Sequence, residues 1–347
     1  IKRVLKQLLS QPYYNRYQLY ELYEQALYDA HLSAQIATRK NGTLAEQYVL
    51  VNKIKSINAE ASELIYRVWF HEIIECILDS VYYGFTAIEI DSDFKDSEIQ
   101  STSRIHSKYF SPERQALLPQ PQSYNITIPL QEPLTNWLLT FGKSHDIGLL
   151  AKASRYALYK NFSVSDWARH SERFGTPFIV AKTGITEESE LQRYGQMLGN
   201  FGNNGWAVLD EQDEINLLQQ TITKPYEIYL EMIKLCDEQI SKIIVGQTGT
   251  ADQKSFVGAA EVQERILNWY VEADMKLVRN EINKKVLPFL IEKGYKLEGL
   301  RFEWQYFLDK KPPVPQRGRN KASDTEKLTS PSFEGVERGL LNPFDPK

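Results

Sequence analysis

Few residues of this 347-residue chain have the types and the spacing that catalysis or metal binding requires. Five histidines are scattered along it, and none is followed four residues later by a second, the spacing with which one helix face binds zinc. The two cysteines, Cys76 and Cys236, lie far apart, and neither belongs to a Cys-x-x-Cys pair. The chain has no Gly-x-Ser-x-Gly sequence to supply a serine nucleophile. We therefore expect no catalytic residue, no metal site and no cofactor.

Two glycine-rich stretches resemble phosphate-binding loops in composition only. Residues 199–205 lack the Lys-Ser/Thr ending of a P-loop and precede a predicted strand, whereas a P-loop precedes a helix. Residues 246–250 also lack the lysine and follow a predicted helix, whereas a dinucleotide-binding turn follows a strand. The acidic residues at 210–214 could bind a divalent ion, but their alternation fits a solvated hairpin turn better. We interpret all three as connecting segments.

Composition excludes some classes of protein. The chain has 42% hydrophobic and 25% charged residues, which is typical of a folded protein, and its formal net charge is −4. This charge excludes the strongly basic domain of a tight sequence-reading nucleic-acid binder, although transient contact with DNA stays open. No apolar run approaches the roughly 18 residues that a membrane span needs. Two unpaired cysteines make a reducing, cytoplasmic setting the default.

The first half of the chain has a mixed pattern of helices and strands. Leu19, Tyr23 and Ala26 recur at helical spacing, and a short loop is predicted at 40–42. The other predictions for this half are a strand at 48–51, a long helix at 59–83 ended by Gly84, a strand at 85–90, and short strands with loops across 91–146.

In the second half, long helices surround a small α/β segment and precede an extended tail. The predicted helices are 148–174, 187–198, 225–245 and 259–293, the last kinked by Pro288. The predicted strands are 178–181, 206–209, 215–219 and 300–308, and the proline-rich residues 310–347 form an extended arm. The fold class is therefore α+β, and its layout indicates a structural purpose.

Several stretches, in a fixed order, carry a family resemblance. They are DAHLSAQIATR (29–39), YGFTAIEI (83–90), RHSERFGTPFIVAKTG (169–184), DEQISKIIVGQTGTADQKSFVGAAEVQERI (237–266) and NKKVLPFLIEKG (283–294). Each is a weak motif alone, but their order and spacing together resemble the Mu-like family of phage portal proteins. The resemblance covers most of residues 29–309.

The resemblance implies a phage portal fold and a structural function without catalysis. Portal proteins of this type form a ring, usually of twelve subunits, at one capsid vertex, and double-stranded DNA passes through the ring during packaging and ejection. The implied partners are other copies of the chain, DNA, the large terminase, the head-to-tail adaptor, and the major capsid and scaffold proteins, with no membrane. The implied location is the virion, after assembly in the host cytoplasm.

The resemblance also divides the chain into portal segments. It implies a wing at 1–147, paired stem helices at 148–174 and 223–245, a clip at 175–222, a tunnel loop at 246–258, a long kinked helix with a wing strand at 259–309, and the arm at 310–347. A helical crown normally follows the wing. Residues after Asp309 have no helical periodicity, which puts a crown in doubt.

Three groups of site residues follow from this division. The tunnel loop nearest DNA has Gln247, Thr248, Thr250, Lys254 and Ser255. The clip that docks the motor and the adaptor has Lys182, Glu187, Glu188, Arg193, Asp210, Glu211, Asp213 and Glu214. The stem has basic residues expected to pair with neighbouring subunits, namely Lys152, Arg155, Lys160, Arg169 and Arg173. A solvated helix face is the alternative for the stem residues, and a solvent-exposed lysine is the alternative for Lys254.

Two other functions stay open from the sequence. One is a different virion protein, such as an adaptor or a tail component without a DNA path, built on the same helices. The other is a monomeric soluble enzyme, which is disfavoured because no nucleophile, metal cluster or nucleotide loop is visible. A ring differs from an enzyme in oligomeric state. A portal differs from other virion proteins in having a bore wide enough for B-form DNA, about 20 Å across.

Overall fold

The structure is a computed structural model that describes residues 16–92, 99–123, 126–175, 179–183, 187–199, 206–210, 225–248 and 257–309. All of them lie in one compact unit, Ile1–Asp309. The predicted strand at 215–219 and the predicted arm at 310–347 lie outside the described residues.

Helices and strands alternate irregularly along the unit, as the predicted α+β class requires. The helices are α1 (Tyr17–Ala26), α2 (Ala30–Leu44), α3 (Ala59–Ile65), α4 (Val68–Tyr83), α5 (Leu150–Gly175), α6 (Glu188–Gly199), α7 (Pro225–Ile244), α8 (Val257–Glu281), α9 (Leu287–Glu292) and α10 (Gln305–Asp309). The strands are β1 (Tyr48–Val51), β2 (Phe85–Ser92), β3 (Ile99–Ile105), β4 (Phe110–Ser111), β5 (Ala116–Leu117), β6 (Ile128–Pro129), β7 (Leu138–Gly142), β8 (Ile179–Thr183), β9 (Trp206–Asp210) and β10 (Arg301–Trp304). Within the described part of the chain, no helix combines the length and the apolar character that crossing a membrane needs.

Helix α2 corrects the predicted loop at 40–42, because these residues lie inside the helix. Lys40 donates from Nζ to Asp79 Oδ1 at 2.7 Å, so its side chain ties α2 to α4. Gly42 is required for close packing: a Cβ there would lie 2.9 Å from Cγ2 of Val271 on α8. The Lys-Asn-Gly sequence is therefore a contact point between helices.

The predicted helix at 59–83 is two helices, separated at Tyr66 and Arg67. Arg67, the residue just before α4, has an extended backbone, with φ −71° and ψ 151°. In one continuous helix, Ile65 and Phe70 would point about 140° apart, since each residue turns about 100°. Both are fully buried in the structure. The break therefore lets both side chains enter the same core.

An antiparallel sheet in the order β3-β2-β7 packs against α4. The chain enters β2 through Gly84, which ends α4 with φ +78°, as predicted. A Cβ at Gly84 would lie 2.3 Å from the backbone oxygen of Asp146, so the segment before α5 passes directly against this turn. The sheet thereby fixes where α5 begins. Strands β4, β5 and β6 form a small second sheet over the 91–146 region, as the short predicted strands indicated.

Strand β10 corrects the predicted strand at 300–308, because it ends at Trp304 and α10 follows. β10 pairs antiparallel with β1, and Trp304 faces Tyr48, the first residue of β1. The Gln305 N–H donates the last bond of this ladder, to the Gln47 carbonyl oxygen at 2.8 Å, and the chain then turns into α10. The alternation of Tyr306 and Leu308 with the strand residues therefore does not indicate a strand.

Helix α8 continues into a π-helical turn, Ile282–Val286, and then into α9. Pro288 lies near the start of α9 and has no N–H to donate to an earlier carbonyl, which favours a wider turn before it. Where the sequence predicts a kink at Pro288, the structure has a π-helical turn just before Pro288. Since α8 begins at Val257, the predicted loop at 246–258 is two residues too long at its end.

Candidate functional site

Helices α5 and α7 pack against each other in antiparallel directions and form the long helix pair that the sequence predicts. Small and branched residues form their shared seam, which also packs against α1 and α2; the buried members are Leu150, Ala151, Ala153, Ala157, Ile240, Ile244 and Val245. Lys160 of α5 contacts Asp237 of α7. Ten residues further along α5, His170 contacts the ring of Tyr229, eight residues earlier on α7, with 5.8 Å between ring centroids. These two contacts fix the antiparallel register.

Between α5 and α7 in the sequence lies a small parallel β-α-β unit, β8-α6-β9. Ile179 pairs with Trp206 and Thr183 with Asp210 at the two ends of the register. Helix α6 packs on β9. The predicted strand, helix and strand of this α/β segment are thus confirmed, each shifted by about one residue or less in its starting position.

Lys160 lies in an ion cluster inside the chain. Its Nζ is 2.7 Å from Asp237 Oδ1 and 3.0 Å from Asp29 Oδ2, and only 17% of its side chain is exposed. Burial alone would lower the pKa of Lys160, but the hydrogen bonds and charges of the two aspartates outweigh it and raise the pKa. Asp29 also caps α2 by accepting from the Leu32 N–H. The partners of Lys160 within the chain join α2, α5 and α7, and they would compete with the predicted pairing of Lys160 with a neighbouring subunit, which stays a prediction.

The other basic residues of α5 lie on its surface where their side chains are described. Lys152 is exposed, and Arg155 is exposed with its guanidinium against the Tyr156 ring. Arg169 is 81% exposed and has a 3.7 Å ion pair with Asp166, one turn earlier. Such an exposed pair stabilises a helix only slightly, so Arg169 can exchange it for another carboxylate. Arg173 lies within α5, and its side chain is outside the described residues.

A buried ion pair between α2 and α8 also reaches the end of α7, so Arg39 ties together the two helices on either side of the predicted tunnel loop. Arg39 of α2 donates from Nε and Nη2 to both carboxylate oxygens of Asp274 on α8, at 2.6 and 2.7 Å. Its Nη1 donates to the carbonyl oxygen of Ile244, the last residue of α7, at 2.8 Å. The guanidinium also lies 4.7 Å from the ring centroid of Tyr270. Both side chains of the ion pair are about 5% exposed, so this bidentate contact is protected from water.

The segment just after α7 packs against the same Tyr270 ring. Gly246 has φ +76°, and a Cβ there would lie 2.3 Å from the Tyr270 ring. Gln247 is 6% exposed, and Thr248 lies at the edge of a cavity beside α7. Of the predicted tunnel-loop residues, these two are therefore packed at the base of the loop. Thr250, Lys254 and Ser255 lie outside the described residues.

The structure describes part of the predicted clip surface. Glu187 and Glu188 are exposed at the start of α6, and Arg193 is 82% exposed with an ion pair to Glu190 at 3.9 Å. Lys182 of β8 pairs with Leu209 of β9, and Asp210 is the next residue of β9. The backbones of Lys182 and Asp210 are therefore close in the register. Glu211, Asp213 and Glu214 lie outside the described residues, as do the side chains of Lys182 and Asp210.

Both cysteine thiols are buried and unpaired. Burial raises the pKa of Cys76 to about 11 and also raises that of Cys236. Both therefore remain protonated at neutral pH and are poor nucleophiles. Among the described residues, no three or more His, Cys, Asp or Glu side chains are grouped closely enough to hold a metal ion.

Sequence reasoning assigned no role to Arg39 or Asp274. A signal for Asp274 was present: it lies on the helix face of Val271, Met275 and Val278, all buried. A carboxylate on an apolar helix face requires a buried partner, because an isolated charge is costly to bury. The identity of that partner is not available from the sequence, since Arg39 lies 235 positions away.

One of three comparisons with known proteins shows the family of the chain. A search of curated protein sequences found no match. Two solved structures are similar: a HK97 family phage portal protein from Corynebacterium diphtheriae, with TM-score 0.47 and 12% identity over 83% of this chain and 97% of that one, and a chain of the neck of an empty GTA particle, with TM-score 0.48 and 10% identity over 80% and 81%. The profile of the family described as the portal protein of Mu bacteriophage matches residues 20–329, which is most of the chain. The chain therefore belongs to this family of phage portal proteins.

Proposed function

We propose that copies of this chain form a closed ring at one vertex of a phage capsid, and that double-stranded DNA passes through the ring during packaging and ejection. The observation that carries the proposal is the family match, which spans α5, the β-α-β unit, α7 and α8 together. In this assignment α5 and α7 are the stem, the β-α-β unit is the clip, and residues 246–256 are the tunnel loop. The chain has a structural role, and the packaging motor supplies the work.

Exposed apolar side chains support assembly into an oligomer. Large apolar residues on the three long helices are strongly exposed in the single chain; they are Tyr159, Phe162, Val164, Ile228, Leu235, Val262 and Trp269. Exposed apolar side chains that lie close together mark an interaction surface, and those of α5 and α7 lie on two helices packed against each other. Contact with neighbouring subunits would bury these side chains.

The charges support a channel through which DNA can slide. Each phosphate that a fixed cation neutralises adds affinity through counterion release, so a lining dense in Lys and Arg would slow DNA. The proposed tunnel loop contains Lys254 and Asp252, which balance each other. The exposed acids Glu187 and Glu188 support the clip as a docking surface for the large terminase and then for the head-to-tail adaptor. The wing would contact the capsid and scaffold proteins.

Native mass and negative-stain imaging of the purified chain test the proposal. We expect rings of about twelve copies with a central hole wide enough for B-form DNA, about 20 Å. Rings with a narrower hole would favour an adaptor or a tail component. A chain that stays at 40.2 kDa alone and with its capsid and scaffold proteins would contradict the proposal.

A further inference from the structure

Helix α8 has an exposed apolar face centred on Trp269. Trp269 is 61% exposed and Val262, two turns earlier, is 43% exposed. Two cations accompany them on this face: Arg265 one turn before Trp269 and Lys276 two turns after it. The Arg265 guanidinium lies 5.9 Å from the Trp269 ring centroid, and no carboxylate of the described residues pairs with it. We call Val262, Arg265, Trp269 and Lys276 the α8 knob.

A groove lies beside helix α7. Its volume is about 530 Å³, enough for a large side chain and its neighbours, and its lining is His31, Leu230, Ile233, Lys234, Asp237, Glu238, Ser241 and Thr248. Leu230 and Ile233, which we call its apolar floor, come from α7. The charged lining is Asp237, Glu238 and Lys234, and Lys234 is paired with Glu231 at 2.9 Å. His31 Nε2 lies 2.7 Å from Ser241 Oγ, which fixes one wall of the groove to α2. We call this cavity the α7 groove.

The α7 groove offers one weakly paired carboxylate, Glu238, to a cation of the α8 knob. Asp237 already binds Lys160, whereas Glu238 has only a 3.5 Å pair with Lys242, one turn later, and both of its members are nearly half exposed. Such a pair is easily exchanged for a better one. The α8 knob supplies an aromatic side chain for the apolar floor and an unpaired arginine for the Glu238 carboxylate. Buried aromatic residues and arginines are the side chains that contribute most at protein interfaces.

We propose that the α8 knob of one subunit inserts into the α7 groove of the next copy of the chain, with Trp269 on the apolar floor and Arg265 against Glu238. The inference rests on the proposed ring and names a contact that holds it together. Because knob and groove are different surfaces, the contact is head-to-tail, which is the type that builds rings. Both surfaces lie near the C-terminal end of α7: Tyr270, next to Trp269, contacts Gly246, and Gly246 lies between Ser241 and Thr248 of the groove.

Two single variants test the contact by native mass. Trp269→Ala removes the knob, and Ile233→Arg fills the groove and places a cation opposite Arg265. We expect each variant to be folded, with an unchanged far-UV spectrum, and to lose the ring in favour of the 40.2 kDa monomer. Ile54→Ala is the matched control, because Ile54 is 83% exposed on the turn after β1, and we expect it to keep the ring.

Mixing the two variants makes the test specific. The Trp269→Ala chain keeps a groove and the Ile233→Arg chain keeps a knob, so a head-to-tail contact predicts 1:1 dimers that cannot grow further. Reversing the charges at Arg265 and Glu238 should weaken the ring singly and restore it together.

The outcomes separate this inference from the proposed function. If the unmodified chain forms rings and both variants form the same rings, the knob-and-groove contact is wrong and the portal assignment stands. If Trp269→Ala keeps the ring but loses DNA binding, the knob faces DNA and the inference is equally wrong. If the unmodified chain forms no ring even with its capsid and scaffold proteins, the proposed function fails first.

Discussion

At the scale of single residues, Gly246 is the position where backbone conformation and packing combine. Replacing it by alanine places a Cβ against the Tyr270 ring and forces a left-handed backbone on a residue with a side chain. We expect Gly246→Ala to lower the free energy of unfolding by about 2–5 kcal/mol, the sum of backbone strain and overpacking. Urea denaturation of the chain measures this loss.

Gly294 supplies the matched control for that substitution. It has φ +95°, but a Cβ there would meet no atom within 4 Å. Gly294→Ala should therefore cost only the backbone strain, about 1–2 kcal/mol. Adding Tyr270→Leu to Gly246→Ala should recover part of the difference. Equal losses at both glycines would show that the Tyr270 ring does not restrict the start of the loop.

The Arg39–Asp274 pair gives a second prediction at this scale. Asp274→Ala leaves the Arg39 charge buried without its carboxylate, so we expect a loss of about 3–5 kcal/mol in the free energy of unfolding. The double variant Arg39→Met with Asp274→Leu removes both charges and should be considerably more stable than Asp274→Ala. A double variant as unstable as Asp274→Ala would contradict the view that the unpaired charge causes the loss.

At the scale of elements, the two-stranded sheet β1-β10 is closed at both edges by hydrogen bonds with residues outside the sheet. On the β10 edge, Asn283 accepts from the Phe302 N–H at 2.9 Å and donates to the Phe302 carbonyl at 2.9 Å. On the β1 edge, Leu50 donates to Ser62 Oγ and accepts from the Asn58 N–H. An open strand edge can pair with another chain, and these contacts prevent it.

Asn283→Leu tests the edge closure. It leaves the buried backbone groups of Phe302 without partners, so we expect the free energy of unfolding to fall by about 2–4 kcal/mol. Asn280→Leu, on an exposed position one turn earlier, should change it by less than about 0.5 kcal/mol. Thermal unfolding monitored by circular dichroism compares the two. Similar effects at both positions would mean that Asn283 acts through helix propensity.

The sequence predicts elements well where local signals agree. The strand at 48–51, the Gly84 helix end, the long helix pair and the β-α-β unit all have the expected periodicity and turn residues, and the structure contains them. Prediction from the sequence fails where a contact between residues far apart in the chain determines the local structure. Gly42 signals a loop locally but lies in a helix, packed against Val271 of α8. The alternation beyond Trp304 lies in a helix, because the ladder with β1 ends at the bond from Gln305 to Gln47.

The candidate site shows the same division. Exposed charges such as Arg169 and Glu188 can be predicted from helix patterns. Lys160 cannot be distinguished from Arg169 by pattern, since both are basic residues of α5; only the fold shows that Asp29 and Asp237 surround Lys160. The α7 groove depends on side chains from two helices that are almost 200 residues apart, so no local signal reveals it.

At the scale of the whole molecule, charge has two separate roles. Buried ion pairs such as Arg16–Glu113 and Arg39–Asp274 join distant segments of one chain. Arg169 of α5 and Arg193 of α6, both more than 80% exposed, have only long ion pairs, of 3.7 and 3.9 Å, with residues one turn earlier. If the chain assembles into a ring by contacts between unlike surfaces, these exposed charges are the ones that neighbouring subunits can pair.

Lys160 and Arg169 separate the two roles experimentally, because they lie on one helix and carry the same charge. We expect Lys160→Met to lower the melting temperature of the chain, since it leaves two partly buried aspartates close together without a cation. We expect Arg169→Glu with Arg173→Glu to leave the melting temperature of the dissociated chain unchanged and to reduce the fraction of chains in rings, measured by native mass. Raising the ionic strength should shift the unmodified ring in the same direction, because exposed pairs are screened by salt. Intact rings from the double arginine variant at low salt would show that α5 contributes a solvated face, and the search for the intersubunit contact would then move to the knob on α8.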